Sequence, residues 1–250
     1  MERDTNIGGA GGRFPTTRRT AVRGTGSEDP AERAQAWEAL IAAYWKPVYK
    51  YLRFKWNESS EDARDLTQGF FTRALEKRFF ETYDPGRAKF RTYLRTCVDG
   101  FVANERKAAR RLKRSGGTET LSLDFEGAEK ELARQEVVDA VTMEDYFHRE
   151  WVRNLFALAV ERLREECSAR GKEAAFRAFE LYDLEEAGGT RPTYETLATE
   201  LGLPVTQVTN FLAFARRELR RILLDRLREI TGSEEEFRSE ARQLLGGDPP

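Results

Sequence analysis

Three groups of residues in this 250-residue chain have types and spacings suited to chemistry, and in each the chemistry is recognition, not bond-making. Glu61, Asp65, Gln68 and Thr72 recur at steps of four, three and four, so they share one line of a helix whose opposite line is Ala63, Leu66, Phe70 and Ala74. Such a stripe serves either solvation or, with an Asp and a Gln between flat apolar seams, the docking of a partner. A second group joins Phe90, Tyr93 and Phe101 to Lys89, Arg91, Arg95, Arg106, Lys107, Arg110, Arg111, Lys113 and Arg114. Phe90 and Phe101 have core spacing, while the basic ridge beside them suits single-stranded DNA, whose bases stack on rings as cations hold its backbone. In the third group, Thr206, Gln207, Thr209, Asn210 and Ala213 face away from an apolar line made by Val208, Leu212, Ala215 and Leu219. Short polar side chains at the start of a helix reach base edges in a major groove, and the following Arg216, Arg217, Arg220 and Arg221 suit phosphates.

Catalytic constellations are weak by comparison. The single His148 lies between Phe147 and Arg149 in a helical pattern and has no second histidine for a metal pair, so it reads as a core or interface residue. Glu61, Asp62 and Asp65 imitate a carboxylate site, but on one exposed helix turn they favour the N-terminal dipole and a partner. The early GGAGG has neither a preceding strand nor a Lys-Ser/Thr pair and is no phosphate loop. Cys97 and Cys167 fall in helical patterns far apart and read as reduced packing residues. No enzyme, metal or cofactor is expected. Lys+Arg 42 against Asp+Glu 43 leaves a formal charge of −1, so any basic surface must be local. The N-terminus lacks the apolar stretch of a secretory signal and no run spans a bilayer, so a soluble cytoplasmic protein without membrane insertion is expected.

The elements that carry these groups are all helical, for nothing alternates at period two long enough to argue a sheet. Residues 1–30, rich in Gly, Thr and Arg, read as a disordered tail. Trp37, Leu40, Ile41, Tyr44, Trp45, Val48 and Leu52 trace a first helix, with Pro47 a point for a kink or a new turn. Ser59 or Ser60 caps the second helix. After the loop YDPGR, a third helix from about Ala88 buries Phe90, Leu94, Cys97 and Phe101 and becomes basic as it leaves the core. SGGTET, Ser115 to Thr120, opens a flexible linker over 115–145. Phe147, Trp151, Leu155 and Leu158 restart the helical period. Ala198 and Gly202 then supply the small residue and the turn residue tolerant of positive φ that a helix-turn-helix needs. The reading is all-α: two small helical domains over 31–114 and 146–230 joined by the linker, with a tail over 231–250.

With these residues in view, the chain resembles the extracytoplasmic-function family of bacterial RNA polymerase sigma factors. EDARDLTQGFF resembles that family's core-polymerase-binding helix, DPGRAKFRTYLRTCVDGFVANERKAARR its segment that melts and reads the minus-ten element, and PTYETLATELGLPVTQVTNFLAFARREL its minus-thirty-five module. The resemblance covers about residues 31–114 and 146–230, in the right order. It is especially close to a branch with sequences like AYWKPVYKYLR, DLTQGFF, FVANER and LSLDFEGAE, the last lying in the linker. It implies a transcription initiation factor, monomeric when free, with core RNA polymerase (the β′ clamp helices and the β flap) and promoter DNA, duplex and single-stranded, as partners. An anti-sigma factor or other regulator is a further implied partner. By the same resemblance Glu61, Asp65, Gln68 and Thr72 bind core polymerase, and the loop Asp84 to Lys89 helps capture a flipped non-template base. Lys89, Arg91, Tyr93, Asn104, Arg106, Lys107, Arg110 and Arg111 belong to the minus-ten DNA. Thr206, Gln207, Thr209, Asn210, Arg216, Arg217 and Arg220 belong to the minus-thirty-five groove. Gly100 and Asn104 stand where many members have Asn and Asp, and Phe211 where they often have Arg, which bears on promoter sequence and not on role. The competing reading is a stand-alone helix-turn-helix regulator, which needs a dimer or effector domain in the first half.

Overall fold

Asp29 accepts a hydrogen bond from the Ala31 amide at 2.9 Å and Pro30 follows at the first helical position, a combination that starts a helix. The computed structural model of the chain describes residues 20–109, 122–133, 142–185 and 192–246. After a short α1 (Ala21–Gly24), the helices are α2 (Pro30–Lys55), α3 (Ser60–Glu76), α4 (Phe90–Ala109), α5 (Phe125–Ala133), α6 (Met143–Ala169) and α7 (Glu173–Phe179). α8 (Tyr194–Leu201), α9 (Val205–Ile230) and α10 (Glu234–Leu245) complete the order. A 3-10 turn, Phe79–Thr82, precedes α4, and a π-helical turn, Glu180–Leu184, follows α7. Every regular element among the described residues is helical, as the sequence pattern requires.

α2 is the central strut of the first core. Its buried Leu40, Tyr44, Val48, Tyr51 and Leu52 meet Ala63 and Phe70 of α3, Phe90 and Leu94 of α4, and Phe147 and Trp151 of α6. Tyr44 lies edge-on to Phe90 and stacks on Trp151. Pro47 is inside α2, and the helix passes through it. A proline there deprives the carbonyl four residues back of its donor. Buried Asn154 of α6 restores one: its Nδ2 donates to the carbonyls of Ala42 and Ala43, each at 2.9 Å. Lys50, 2% exposed, forms ion pairs with Glu150 of α6 at 2.8 Å and Glu131 of α5 at 2.6 Å.

A second core gathers Ala159, Leu163 and Cys167 of α6, Phe176 and Phe179 of α7, Leu197 and Ala198 of α8, and Val208, Leu212 and Ala215 of α9. α6 and α9 are long enough to serve both cores: Tyr146 to Leu155, and Leu227 with Ile230, belong to the first. Among the described residues no helix is long and apolar enough to cross a membrane.

Three segments read as tails or linker carry structure. Residues 20–30, assigned to the N-terminal tail, contain α1, whose Ala21 and Val22 are buried and whose Gly24 lies so close to α2 that a Cβ would approach that of Ala36 to 2.8 Å. Residues 234–245, assigned to the C-terminal tail, form α10, with Ser233 accepting from the Glu236 amide at 3.1 Å and Phe237 and Ala241 in the first core. Within the linker, α5 docks on α2: Phe125 packs edge-on to Trp45, and Glu129 accepts from Arg53 and Tyr49, both at 2.7 Å. The Arg53 guanidinium holds the Glu129 carboxyl below its ordinary value despite burial. For Glu131 burial acts upward, but Lys46 and Lys50 outweigh it and the net shift is also down. A carboxylate with a depressed folded-state pKa contributes stability present above its unfolded pKa and lost as pH falls through the folded one. As pH falls below 4.5, the ordinary value, α5 should therefore loosen from α2. Tryptophan fluorescence should report a transition from Trp45 in the wild type that Glu129→Gln with Glu131→Gln removes; the same transition in both proteins would dissociate it from these carboxylates.

Candidate polymerase and nucleic-acid interfaces

The cap of α3 is Ser59, whose Oγ accepts from the Asp62 amide at 3.0 Å. Ala63, Thr67, Phe70, Phe71 and Ala74 are the buried face, which turns Glu61 and Asp65 fully outward and leaves Gln68 and Thr72 half-buried on the adjoining line. The four residues thus form one continuous edge of α3. Beside it α3 and α4 come close, since a Cβ on Gly69 would stand 3.3 Å from the Phe101 ring.

α4 buries Phe90, Leu94, Val98 and Val102 and is entered by an exposed loop in which Asp84 accepts from the Gly86 amide at 2.9 Å. Between the end of α3, the 3-10 turn and α4 lies a groove of about 300 Å³ lined by Phe79, Tyr93, Cys97, Phe101 and Asn104 among others. Tyr93 is fixed there, its hydroxyl donating to the Phe79 carbonyl at 2.6 Å. Aromatic walls with an exposed amide at the rim suit a flat heterocyclic ring. Of the basic residues on α4, Lys107 is exposed. Arg106 is tied to the end of α2 through Glu58 and the Trp56 carbonyl and lies over the Trp56 ring. Arg110 and Arg111 lie outside the described residues.

Lys89 and Arg91 are not part of an open ridge. Arg91 is only 8% exposed, and both side chains are paired with Glu240 of α10, at 2.8 Å from Lys89 and 3.2 Å from Arg91. Glu236 of the same helix accepts from the Phe90 amide at 2.6 Å. Burial and neighbouring Arg91 push His148 below its ordinary pKa, and its ring leans on Trp151, so it is a core-edge residue on this side of α6.

In the helices around the second core, Thr193 caps α8 and Gly202 ends it with φ 64°, ψ 33°. Only the left-handed conformation lets the Leu203 amide return to the Ala198 carbonyl, at 2.9 Å, and send the chain into α9. Val208, Leu212 and Ala215 pack inward while Thr206, Gln207, Thr209 and Asn210 are exposed together on the first turns of α9. Arg217 is exposed beside Phe214, and Arg220 is half-exposed. Arg216 makes a two-pronged ion pair with Asp183, both contacts at 2.9 Å, over the Tyr182 ring.

The α3 edge, the loop and the aromatic groove of α4 follow one another within a single continuous stretch of chain, and that stretch has a known counterpart. Residues 40–112 match Sigma-70 region 2. No curated protein and no solved structure matches the chain. Sigma-70 proteins are non-catalytic transcription initiation factors, and their region 2 is concerned with core RNA polymerase and promoter DNA. The region 2 match begins in α2, contains all of α3 and α4, and thus includes the acidic edge, the groove and Lys89 to Arg111; α8 and α9 are outside it. Two residues that shape the region 2 surface were missed in the sequence reading, Glu236 and Glu240. The available signal was the capping pattern Ser233 to Glu236, a serine followed three residues later by a glutamate.

Proposed function

We propose that the chain is an RNA polymerase sigma factor of the extracytoplasmic-function kind, which brings core polymerase to specific promoters, opens the minus-ten region and starts transcription. The observation that carries this reading is the region 2 match over residues 40–112, with an exposed polar edge on α3 and a ring-sized aromatic groove against α4 in the same unit. In this reading Glu61, Asp65, Gln68 and Thr72 dock on the β′ clamp helices. Tyr93, Asn104 and the loop Asp84 to Lys89 receive the non-template strand, with Arg106, Lys107, Arg110 and Arg111 along its backbone. α8 and α9 form the minus-thirty-five reader, offering Thr206, Gln207, Thr209 and Asn210 to base edges and Arg217 and Arg220 to phosphates. Arg216, braced by Asp183, acts as the fixed member of that row. The protein works in the cytoplasm and is a monomer until it meets polymerase.

Run-off transcription with purified core polymerase on fragmented genomic DNA tests the reading: start sites should share an upstream and a minus-ten element only when the protein is added. On a promoter so mapped, Asn210→Ala should change the preferred base at one upstream position and cost about tenfold in binding, the value of a good base contact. A native mass of a tight homodimer together with no added transcription would turn the assignment to a stand-alone helix-turn-helix regulator.

A further inference from the structure

The N-terminus of α4 already holds an anionic ligand, and that ligand is this chain. Glu236 accepts from the Phe90 amide at 2.6 Å, the Gly232 amide at 2.8 Å and the Tyr83 hydroxyl at 3.1 Å. Glu240, one turn further along α10, pairs with Lys89 and Arg91, which flank Phe90. A free helix amide with a cation on either side is the set of donors that binds a phosphate. We infer that α10 is an intramolecular competitor for the nucleic-acid backbone: its inner carboxylates occupy the positions of promoter phosphates at Lys89, the Phe90 amide and Arg91, and the free protein keeps this end of its minus-ten surface closed. The inference rests on the sigma-factor reading for the role of Lys89 and Arg91.

The composition of α10 supports a reversible cap over a permanent core helix. Its inner face alternates apolar Phe237 and Ala241 with Glu236 and Glu240, although carboxylates are almost never fully buried unless paired. Burial raises the Glu236 carboxyl above its ordinary value, and Glu240 Oε2 is buried with no hydrogen-bond partner among the described residues. Both features make the contact less favourable than its pairings alone suggest. A ligand that brings several phosphates along one backbone can therefore displace it.

The test uses the full-length protein and a fluorescent single-stranded oligonucleotide bearing the non-template minus-ten sequence mapped by run-off transcription. Glu236→Gln with Glu240→Gln should bind it about tenfold or more tightly than wild type, because closed molecules no longer reduce the competent fraction. Glu234→Gln with Glu235→Gln, on the exposed outer face, removes the same charge and should leave affinity unchanged. Adding Lys89→Ala and Arg91→Ala to the uncapped protein should abolish the gain. Equal binding by wild type and the inner-face variant, or an equal gain from the outer-face variant, overturns the cap while leaving the DNA reading intact. Absence of binding by every protein overturns the DNA reading itself. Hydrogen exchange of the wild type gives a measurement independent of any substitution: the α10 amides should lose protection at saturating oligonucleotide, and unchanged protection overturns the cap.

Discussion

Lys50→Met should lower the free energy of unfolding by about 3 kcal/mol, the scale for removing one partner of a buried ion pair. Lys50 is 2% exposed and its ammonium lies 2.8 Å from a carboxylate, Glu150, that is 1% exposed at the side chain. Methionine fills the space of the lysine stem but leaves that carboxylate inside a core formed by α2 and α6. Arg153 at its rim, 56% exposed at the side chain, offsets part of the cost, since an exposed cation is screened by solvent. Glu131 loses one of its two lysines but is 46% exposed and can rehydrate. The asymmetry predicts the double substitution: Lys50→Met with Glu150→Leu should recover most of the loss, because it removes the buried carboxylate as well as the pair. Urea unfolding followed by circular dichroism reads both. A loss below about 0.5 kcal/mol, the usual limit for surface substitutions, would mean that water reaches the pair.

What could be read from the sequence and what could not divide along a physical line. The helices of residues 37–109 were legible because their apolar residues recur at the helical period and cores reward that period directly. Gly202 was legible because a turn between close helices leaves few residues able to take positive φ. α10 was not, for half of its inner face is carboxylate: the partners of Glu236 and Glu240, namely Lys89, Arg91 and the Phe90 amide, lie about 150 residues away along the chain. The same holds for Lys50, which a local pattern assigns to solvent and long-range pairing assigns to the core. Pro47 reads from sequence as a kink or a new turn because its remedy, Asn154, lies 112 residues along the chain from Ala42. α5 is short, and its docking depends on Phe125 meeting Trp45 and Tyr49. In the candidate site Glu61 and Asp65 on α3 and the polar face of α9 are exposed and Gln68 and Thr72 half-buried, whereas Lys89 and Arg91 are already occupied and Arg106 and Arg216 are each braced by a carboxylate.

Asp65→Ala combined with Gln68→Ala should lower core-polymerase affinity about thirtyfold or more while leaving the helical circular dichroism spectrum unchanged. Asp65 is exposed and Gln68 half-buried at the middle of the α3 edge, while the face that holds α3 in place is Ala63, Thr67, Phe70, Phe71 and Ala74. Alanine is the best helix former, so the substitution favours α3 as a helix. A polar residue desolvated near the centre of a protein interface typically costs about 2 kcal/mol or more when truncated. That corresponds to about thirtyfold in affinity. Glu61→Ala, at the solvent-facing end of the edge, should lose much less, since rim charges act mainly on the association rate and are screened by salt. Titration of fluorescent core polymerase against wild type, the double variant and Glu61→Ala ranks the three. Equal affinity for all would remove α3 from the polymerase interface, even if the region 2 fold stands. A loss in the double variant accompanied by a collapse of melting temperature would instead assign Asp65 and Gln68 to folding.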